Sequence, residues 1–353
     1  MGRVSHHIKP TAFGMGLIAL DLVLSADPKE PIYCWAGGTC GNVLTILSYL
    51  GWSTFPVARL NGDSASLRVK ADMSRWGVNL AFAEQTPTAS TPIITQQNSR
   101  DSDGTLTHKF TWSCPKCGAW LPHYKNVTIL SAKSVAEKIV DPRVFFFDRL
   151  SAGALTLARK CKEMGAVIVF EPSAKGNPRH FAEALELAHI IKYSQERFGS
   201  LVQEVRPGKS SILEIQTMGR EGLIFRANLP RIKSSKWSRL PAMKVDQVSD
   251  SCGCGDWATA GLISKLCDIE SLGELKSKPL AEIISALNFG QALAAWNCGF
   301  EGARGGMYRV EKRVFEDEIS DIMKQGVRKA RIYTSQLDTE VPRGAICPAC
   351  NSF

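Results

Sequence analysis

A small-residue turn that ends in an acid offers the clearest chemistry in this sequence. The turn, Asp250-Ser-Cys-Gly-Cys-Gly-Asp256, precedes an apolar, helix-compatible stretch from Trp257 to Ile263. A turn that leads into a helix leaves backbone N–H groups unpaired, and these donors and the helix dipole favour phosphate. Gly253 and Gly255 allow the close approach of a ligand. The pattern therefore predicts an anion-binding helix N-terminus.

Asp256 is expected in the first turn of that helix. A carboxylate there could accept a proton from a hydroxyl group while the amides hold a phosphoryl group. Phosphoryl transfer needs mainly positioning and charge stabilisation, so this pairing suffices for the reaction. The alternative is that Asp256 only caps the helix, and the motif alone leaves both interpretations open.

Two cysteine pairs have the spacing of metal ligands. Cys114-Pro-Lys-Cys117 and Cys347-Pro-Ala-Cys350 would together supply four thiolates, the ligand set of a structural zinc site with no open position for water. A single pair could instead be redox-active or incidental. We predict a zinc ribbon formed by residues 105–126 and 335–353, which requires the C-terminal tail to return to the earlier segment.

The elements that position these residues alternate between strand and helix. The apolar run Val144 to Asp148 predicts a strand, Ala152 to Met164 a helix, and Ala166 to Glu171 the next strand. His189 to Lys192 and Ile212 to Met218 continue the series. Such alternation implies parallel pairing through helical crossovers, hence an α/β sheet that is covered on both faces.

The first third of the chain has a different pattern. Strand-like runs in residues 11–38 and 90–130, the latter broken by the turn Asp101-Ser-Asp-Gly104, predict a small antiparallel sheet that projects as a lid. Further helices are predicted for Ser64 to Trp76, with Asp63 or Ser64 as N-cap, for Pro279 to Trp296 and for Val314 to Lys329.

Several segments resemble, in order, the motifs of the ribokinase-like (PfkB) kinase family. Asp250 to Asp256 resembles its DTxGAGD signature. The other matching segments are Asp21 after an apolar strand, Ala36-Gly-Gly-Thr-Cys-Gly-Asn42, Val57-Ala-Arg-Leu-Asn-Gly-Asp63, Thr217-Met-Gly-Arg-Glu-Gly222 and Gly302-Ala-Arg-Gly-Gly306. The resemblance implies a three-layer α/β/α fold over residues 1–330, with a mostly parallel sheet and a projecting lid.

The resemblance also implies an activity and a set of roles. The activity is transfer of the γ-phosphate of ATP, carried with Mg²⁺, to a hydroxymethyl group of a sugar, sugar acid or nucleoside. Asp256 would be the base, and Gly253, Cys254 and Gly255 the anion hole. The remaining roles fall to Asp21, Gly38 and Asn42 as substrate ligands and to Lys192, Thr217, Gly219 and Gly222 at the nucleotide.

The sequence departs from the family pattern near the nucleotide. Where the family commonly has K-x-N-x-x-E, this chain has Lys192-Tyr-Ser-Gln-Glu-Arg197, and Glu171-Pro-Ser173 replaces Asp-x-Asn. These changes leave a second hypothesis open, a nucleotide- or sugar-sensing module with little or no turnover whose zinc ribbon binds a partner or nucleic acid.

Arg149 follows a predicted strand at the edge where α/β proteins bind ligands. It could reach an anionic substrate group or the triphosphate. Alternatively, it forms a salt bridge with Asp148 or another neighbour.

Composition excludes several other classes of protein. The 353-residue chain is 44% hydrophobic and 22% charged, with no apolar run long enough to span a bilayer. The N-terminus lacks the apolar core of a secretion signal, and the odd count of eleven cysteines argues against a disulfide framework, so we predict a cytoplasmic protein. No Walker A string is present, and no GxGxxG follows an early strand.

Partners other than substrate and ATP are weakly indicated. The formal charge of +9 fits anionic partners, but the basic residues are spread along the chain. Aromatic and basic residues near the first cysteine pair could stack nucleic-acid bases, although we favour a shell that covers the metal. These residues are Trp112, Trp120, His123, Tyr124, Lys109, Lys116 and Lys125. The family resemblance also allows a homodimer through the lid.

Overall fold

The computed structural model describes residues 9–27, 29, 31–100, 102, 106–199, 209–230, 236–333 and 345–352. Most of the turn predicted at Asp101 to Gly104 and residues 335–344 of the predicted ribbon therefore lie outside the described residues.

The main sheet contains nine described strands, and seven of them run parallel. The strands are β1 Thr11–Met15, β4 Ser53–Leu60, β5 Ala83–Gln85, β8 Val144–Phe147, β9 Val167–Phe170, β10 Ile190–Ser194, β11 Leu213–Thr217, β12 Leu223–Ala227 and β13 Ser238–Leu240. Their order in the sheet is β13-β12-β11-β10-β9-β8-β1-β4-β5, with β12 and β13 antiparallel at one edge.

Apolar side chains on both faces of this sheet explain its three layers. In β8, Phe145 and Phe147 belong to one hydrophobic cluster, while Val144 and Phe146 belong to the other. Successive residues of a strand point to opposite faces, so a strand without polar positions must be covered on both sides. The predicted α/β/α architecture is confirmed.

Helices cover the two faces, and those predicted at Ser64, Ala152 and Pro279 have bounds within one residue of the prediction, whereas the helix predicted to end at Lys329 ends at Gln325, before Gly326 and a short strand. The helices are α1 Thr39–Tyr49, α2 Ser64–Arg75, α3 Ile129–Ala136, α4 Ala152–Glu163, α5 Pro178–Leu187, α6 Gln195–Phe198, α7 Cys254–Leu266, α8 Leu272–Ser277, α9 Leu280–Asn297 and α10 Lys312–Gln325. Asp63 caps α2, because its side chain accepts a hydrogen bond from Ser66 N. None of the helices in the described residues is long and apolar enough to cross a membrane.

The projecting lid is a four-stranded sheet made of β2 Ala19–Leu24, β3 Tyr33–Gly37, β6 Ile93–Arg100 and β7 Leu106–Thr111. Its order is β3-β2-β6-β7, and the two outer pairs are antiparallel as predicted, whereas the central pair of β2 and β6 is parallel. The prediction that the lid begins at residue 11 is wrong, since β1 pairs with β4 and β8 in the main sheet. The chain changes sheets within Gly16 to Ile18, and the continuous apolar run conceals this switch. A short parallel pair, β14 Lys244–Val245 and β15 Val327–Arg328, completes the fold.

Candidate active site

The turn before α7 has the form expected of an anion-binding helix start. Gly253 is its N-cap, with φ 74°. A Cβ on Gly253 would lie 2.3 Å from Ala303 O, so only glycine fits there. The amide of Cys254 donates to Ser251 O at 3.3 Å, and the helical ladder begins with Trp257 N to Gly253 O. The amides of residues 255 and 256 precede that ladder, where a helix leaves its N–H groups without intrahelical partners.

Asp256 lies in the first turn of α7 and is 9% exposed. Its Oδ2 accepts a hydrogen bond of 2.7 Å from Asn42 Nδ2. Burial and the nearby Glu171 carboxylate raise the pKa of Asp256 to about 7, against the lowering effects of Asn42, Lys192 and Arg197. A carboxyl with that pKa can exchange a proton near neutral pH, as a general base must.

A buried ion pair lies beside the anion hole. Lys192 Nζ is 2.6 Å from Glu171 Oε1, and Thr259 Oγ1 donates to Glu171 Oε2 at 2.6 Å. A Cβ built on Gly255 would be 3.6 Å from Lys192 Nζ. The pair therefore lies directly against the turn, where its charges act on Asp256.

Arg304 fixes the orientation of the Asn42 amide. Its Nε donates to Asn42 Oδ1 at 3.1 Å, and its Nη2 is 2.8 Å from Asp72 Oδ2, which also accepts from Tyr308 Oη at 2.8 Å. Because Oδ1 of Asn42 faces Arg304, its Nδ2 faces Asp256. Arg304 is only 1% exposed and lies behind Asn42, on the side away from Asp256.

A second carboxylate approaches from the lid. Asp21, on β2, is 7% exposed, and its Oδ1 has no hydrogen-bond partner among the described residues. Burial raises the pKa of Asp21 to about 7, while Arg304 and the amide of Gly38 lower it. Gly38, the N-cap of α1, precedes Asn42 by one helical turn. A buried oxygen without a partner is suited to a polar ligand.

Arg149 forms an ion pair with the preceding residue, Asp148. Its Nη1 lies 2.5 Å from Asp148 Oδ2, and Asp148 Oδ1 accepts from Leu17 N at 3.0 Å. Contact between Arg149 and a substrate stays a prediction.

The residues predicted at the nucleotide follow the carboxyl ends of two neighbouring strands. Thr217 ends β11 and pairs in register with Ser194, which ends β10 two residues after Lys192. Gly219 opens a short 3-10 turn, and Gly222 follows it. Since Glu171 and Asp148 directly follow the next two strands along the sheet, β9 and β8, all these residues share its carboxyl edge.

The two cysteine pairs come together, as their sequence predicted. Cys114 Sγ is 3.8 Å from Cys350 Sγ, and Cys117 Sγ is 3.7 Å from Cys347 Sγ. The four sulfur atoms lie within 4.8 Å of one another, so they could hold a metal ion. All eleven cysteines are free thiols.

Two similar turns present these thiols. Gly118 N donates to Cys114 O and Asn351 N to Cys347 O, each at 2.9 Å. Both donors have positive φ, 75° and 52°. Nearby, the His123 ring lies 4.9 Å from Trp112 and 5.7 Å from Trp120, which is 73% exposed.

Comparisons with known proteins agree with this geometry. A family profile described as pfkB family carbohydrate kinase matches residues 32–308. No curated protein sequence matches the chain significantly.

Solved structures with low sequence identity share the fold. A fructokinase with bound ATP from Xylella fastidiosa is similar with a TM-score of 0.65 and 20% identity, over 84% of this chain and 94% of that one. An uncharacterized sugar kinase from Pyrococcus horikoshii gives 0.64 and 18%, over 89% and 99%. An aminoimidazole riboside kinase from Salmonella enterica, complexed with aminoimidazole riboside and an ATP analog, gives 0.62 and 19%, over 89% and 99%.

Proposed function

Because the chain belongs to the pfkB family of carbohydrate kinases, we propose that it transfers the γ-phosphate of ATP to a hydroxymethyl group of a sugar, sugar acid or nucleoside. The observation that carries this proposal is the buried Asp256 carboxyl, with its pKa of about 7, in the first turn of α7. Asp256 takes the proton of the hydroxymethyl group. The oxygen then attacks the γ-phosphorus, and the bond to the bridging oxygen of ADP breaks.

The acceptor site is formed by the lid and α1. Asp21, with its unpartnered oxygen, Gly38 and Asn42 would bind substrate hydroxyls. The fructokinase is described with bound ATP, and the riboside kinase with aminoimidazole riboside and an ATP analog, which supports this substrate class without selecting a member of it.

ATP would lie along the carboxyl edge of the sheet. Thr217, Gly219 and Gly222 would contact the nucleotide, with its phosphates directed to the amides at the start of α7 and to Lys192. Mg²⁺ binds ATP through phosphate oxygens and neutralises their charge. Both Glu171 oxygens are engaged by Lys192 and Thr259, so we propose that phosphates and water hold the ion.

The four-cysteine cluster is proposed to bind one structural Zn²⁺. A tetrahedral site with Zn–S bonds of about 2.3 Å separates its sulfurs by about 3.8 Å. The sulfur–sulfur distances of 3.8 Å between Cys114 and Cys350 and 3.7 Å between Cys117 and Cys347 match that separation. Four thiolates leave no position for water, so the metal would hold the C-terminal segment against the base of the lid. A cytoplasmic location, a lid-mediated homodimer and a contact with nucleic acid stay predictions.

Turnover of an Asp256→Asn variant tests the kinase proposal. We expect turnover to fall about 100- to 10,000-fold, because the base is lost, while ATP–Mg²⁺ still raises the unfolding midpoint. A thermal-shift panel of sugars, sugar acids and nucleosides would first identify the acceptor. Near-normal turnover in the variant would refute the assigned base, and ligand binding without turnover in the wild type would favour the sensing module.

A further inference from the structure

A buried carboxylate at the start of the catalytic turn is bonded to three side chains of the lid. Asp250 is 3% exposed. Its Oδ2 accepts from Gln96 Nε2 at 2.5 Å and from Asn98 Nδ2 at 3.4 Å, and its Oδ1 is 3.3 Å from His108 Nδ1. Gln96 and Asn98 are buried in β6, and His108 lies in β7. Three side chains of the lid thus contact this single carboxylate.

The same carboxylate orders two loops of the active site. Asp250 Oδ1 accepts from Cys252 N at 2.9 Å, and Oδ2 accepts from Gly302 N at 2.8 Å. Cys252 immediately precedes the N-cap Gly253. Gly302 begins the loop that carries Arg304, whose side chain orients Asn42. Displacing Asp250 would therefore move both the anion hole and the support of the base.

Strand pairing links this contact to the acceptor site. Asp21 on β2 pairs in register with Ile94 on β6, and Val23 pairs with Gln96. An acceptor bound by Asp21 therefore contacts β2. This strand is paired with β6, whose residues Gln96 and Asn98 donate hydrogen bonds to Asp250. Hydrogen-bonded strands move as a unit, so the lid can transmit occupancy of the acceptor site to the phosphoryl site.

We propose that Gln96, Asn98 and His108 are positioning residues that couple the lid to the phosphoryl-transfer turn through Asp250. This proposal rests on the kinase function above and deepens it. The three side chains touch no reacting atom. They hold the amides at the start of α7 and the Asp256 carboxylate in position relative to an acceptor bound by the lid.

The charge of His108 makes this coupling dependent on pH. The hydrogen bond with Asp250 raises the pKa of His108, burial opposes that rise, and the charges of Asp250 and Glu196 add to it. Burial raises the pKa of Asp250, but the hydrogen bonds from His108 and from the amides of Cys252 and Gly302 together lower it more, so that acid stays ionised. The ion pair is complete when His108 is protonated and weakens as pH rises through its raised pKa.

Substitution at His108 separates positioning from a merely structural role. We expect His108→Ala to lower kcat about tenfold with little change in the KM for ATP, because a charge-assisted bond to Asp250 is lost. His108→Asn, which keeps a donor without the charge, should recover most of kcat and lose the alkaline decline that we expect of the wild type. Lys109→Ala, an exposed neighbour on β7, is the control. A lower unfolding midpoint with unchanged kcat and pH profile would overturn the proposal.

A second measurement keeps this proposal distinct from the kinase assignment. If the wild type has no turnover with any acceptor, the assigned function fails, but the contact can still be measured by amide hydrogen exchange in residues 251–257. Faster exchange there in His108→Ala or Gln96→Ala than in Lys109→Ala supports the coupling. Equal exchange in the three variants would refute it.

Discussion

Asn42 Nδ2 donates a 2.7 Å hydrogen bond to Asp256 Oδ2, joining the start of α1 to the start of α7 across 214 residues of sequence. The bond favours the ionised form of Asp256, whereas burial and Glu171 favour the neutral form. The pKa of about 7 is the balance of these opposing effects. Removing the hydrogen bond from Asn42 and removing the charge of Glu171 should therefore move the pH profile of activity in opposite directions.

Removal of the Asn42 donor should raise the pKa of Asp256. A base must be ionised to act, so activity falls as pH drops through this pKa. In Asn42→Ala we expect the acidic limb of the kcat/KM profile to move up by about one pH unit, since a hydrogen bond to a charged group is lost. The limb position is read from the full profile, which separates it from any loss of substrate affinity. An unmoved limb would show that Asn42 does not set the pKa.

Neutralising Glu171 should have the opposite effect. Its negative charge raises the pKa of Asp256, so Glu171→Gln should shift the acidic limb to lower pH. The change also leaves the buried Lys192 without its partner, which should cost about 3 kcal/mol of unfolding free energy. Denaturant unfolding and the pH profile measure the two effects separately. A limb displaced upward would contradict the assigned charge interaction.

The sequence indicated the candidate-site residues that lie in local turns better than the residues that support them. Asp256 and Asn42 occur in short motifs, because a glycine turn and a helix start leave local signatures. Arg304 lies in a matched segment, but its bond to Asn42 spans 262 residues and no local pattern shows it. The contacts of Glu171 with Thr259 and of Asp250 with the lid were missed for the same reason.

The fold shows the same division between local and long-range information. The bounds of β8, α4 and β9 agree with the prediction because hydrophobic periodicity is local. The prediction that β1 belongs to the lid is wrong. Only residues 16–18 separate β1 from β2, so the two strands form one continuous apolar run in the sequence. Which sheet a buried strand joins depends on partners that its own sequence does not contain.

Asp21 should determine affinity for the acceptor. Asp21→Asn keeps the size of the side chain but removes the charge, so we expect the KM for the acceptor to rise about 10- to 100-fold with the KM for ATP unchanged. Asp27→Asn, at an exposed acid just beyond β2, serves as the control. Steady-state kinetics with both substrates varied gives the two constants. An equal rise in both would indicate a general distortion of the site rather than lost acceptor binding.

Loss of the metal should release the C-terminal segment. We expect about one zinc per chain by elemental analysis, and its absence from Cys347→Ser, because three thiolates no longer complete the tetrahedral set. The variant should unfold roughly 5 °C lower and exchange amide hydrogens faster in residues 345–352, since metal binding contributes directly to folding. Cys34→Ser, at a half-buried thiol outside the cluster, should keep both the zinc and the protection. A protein purified without zinc, or a tail whose exchange is unaltered when zinc is removed, would show that the four thiols do not form a structural metal site.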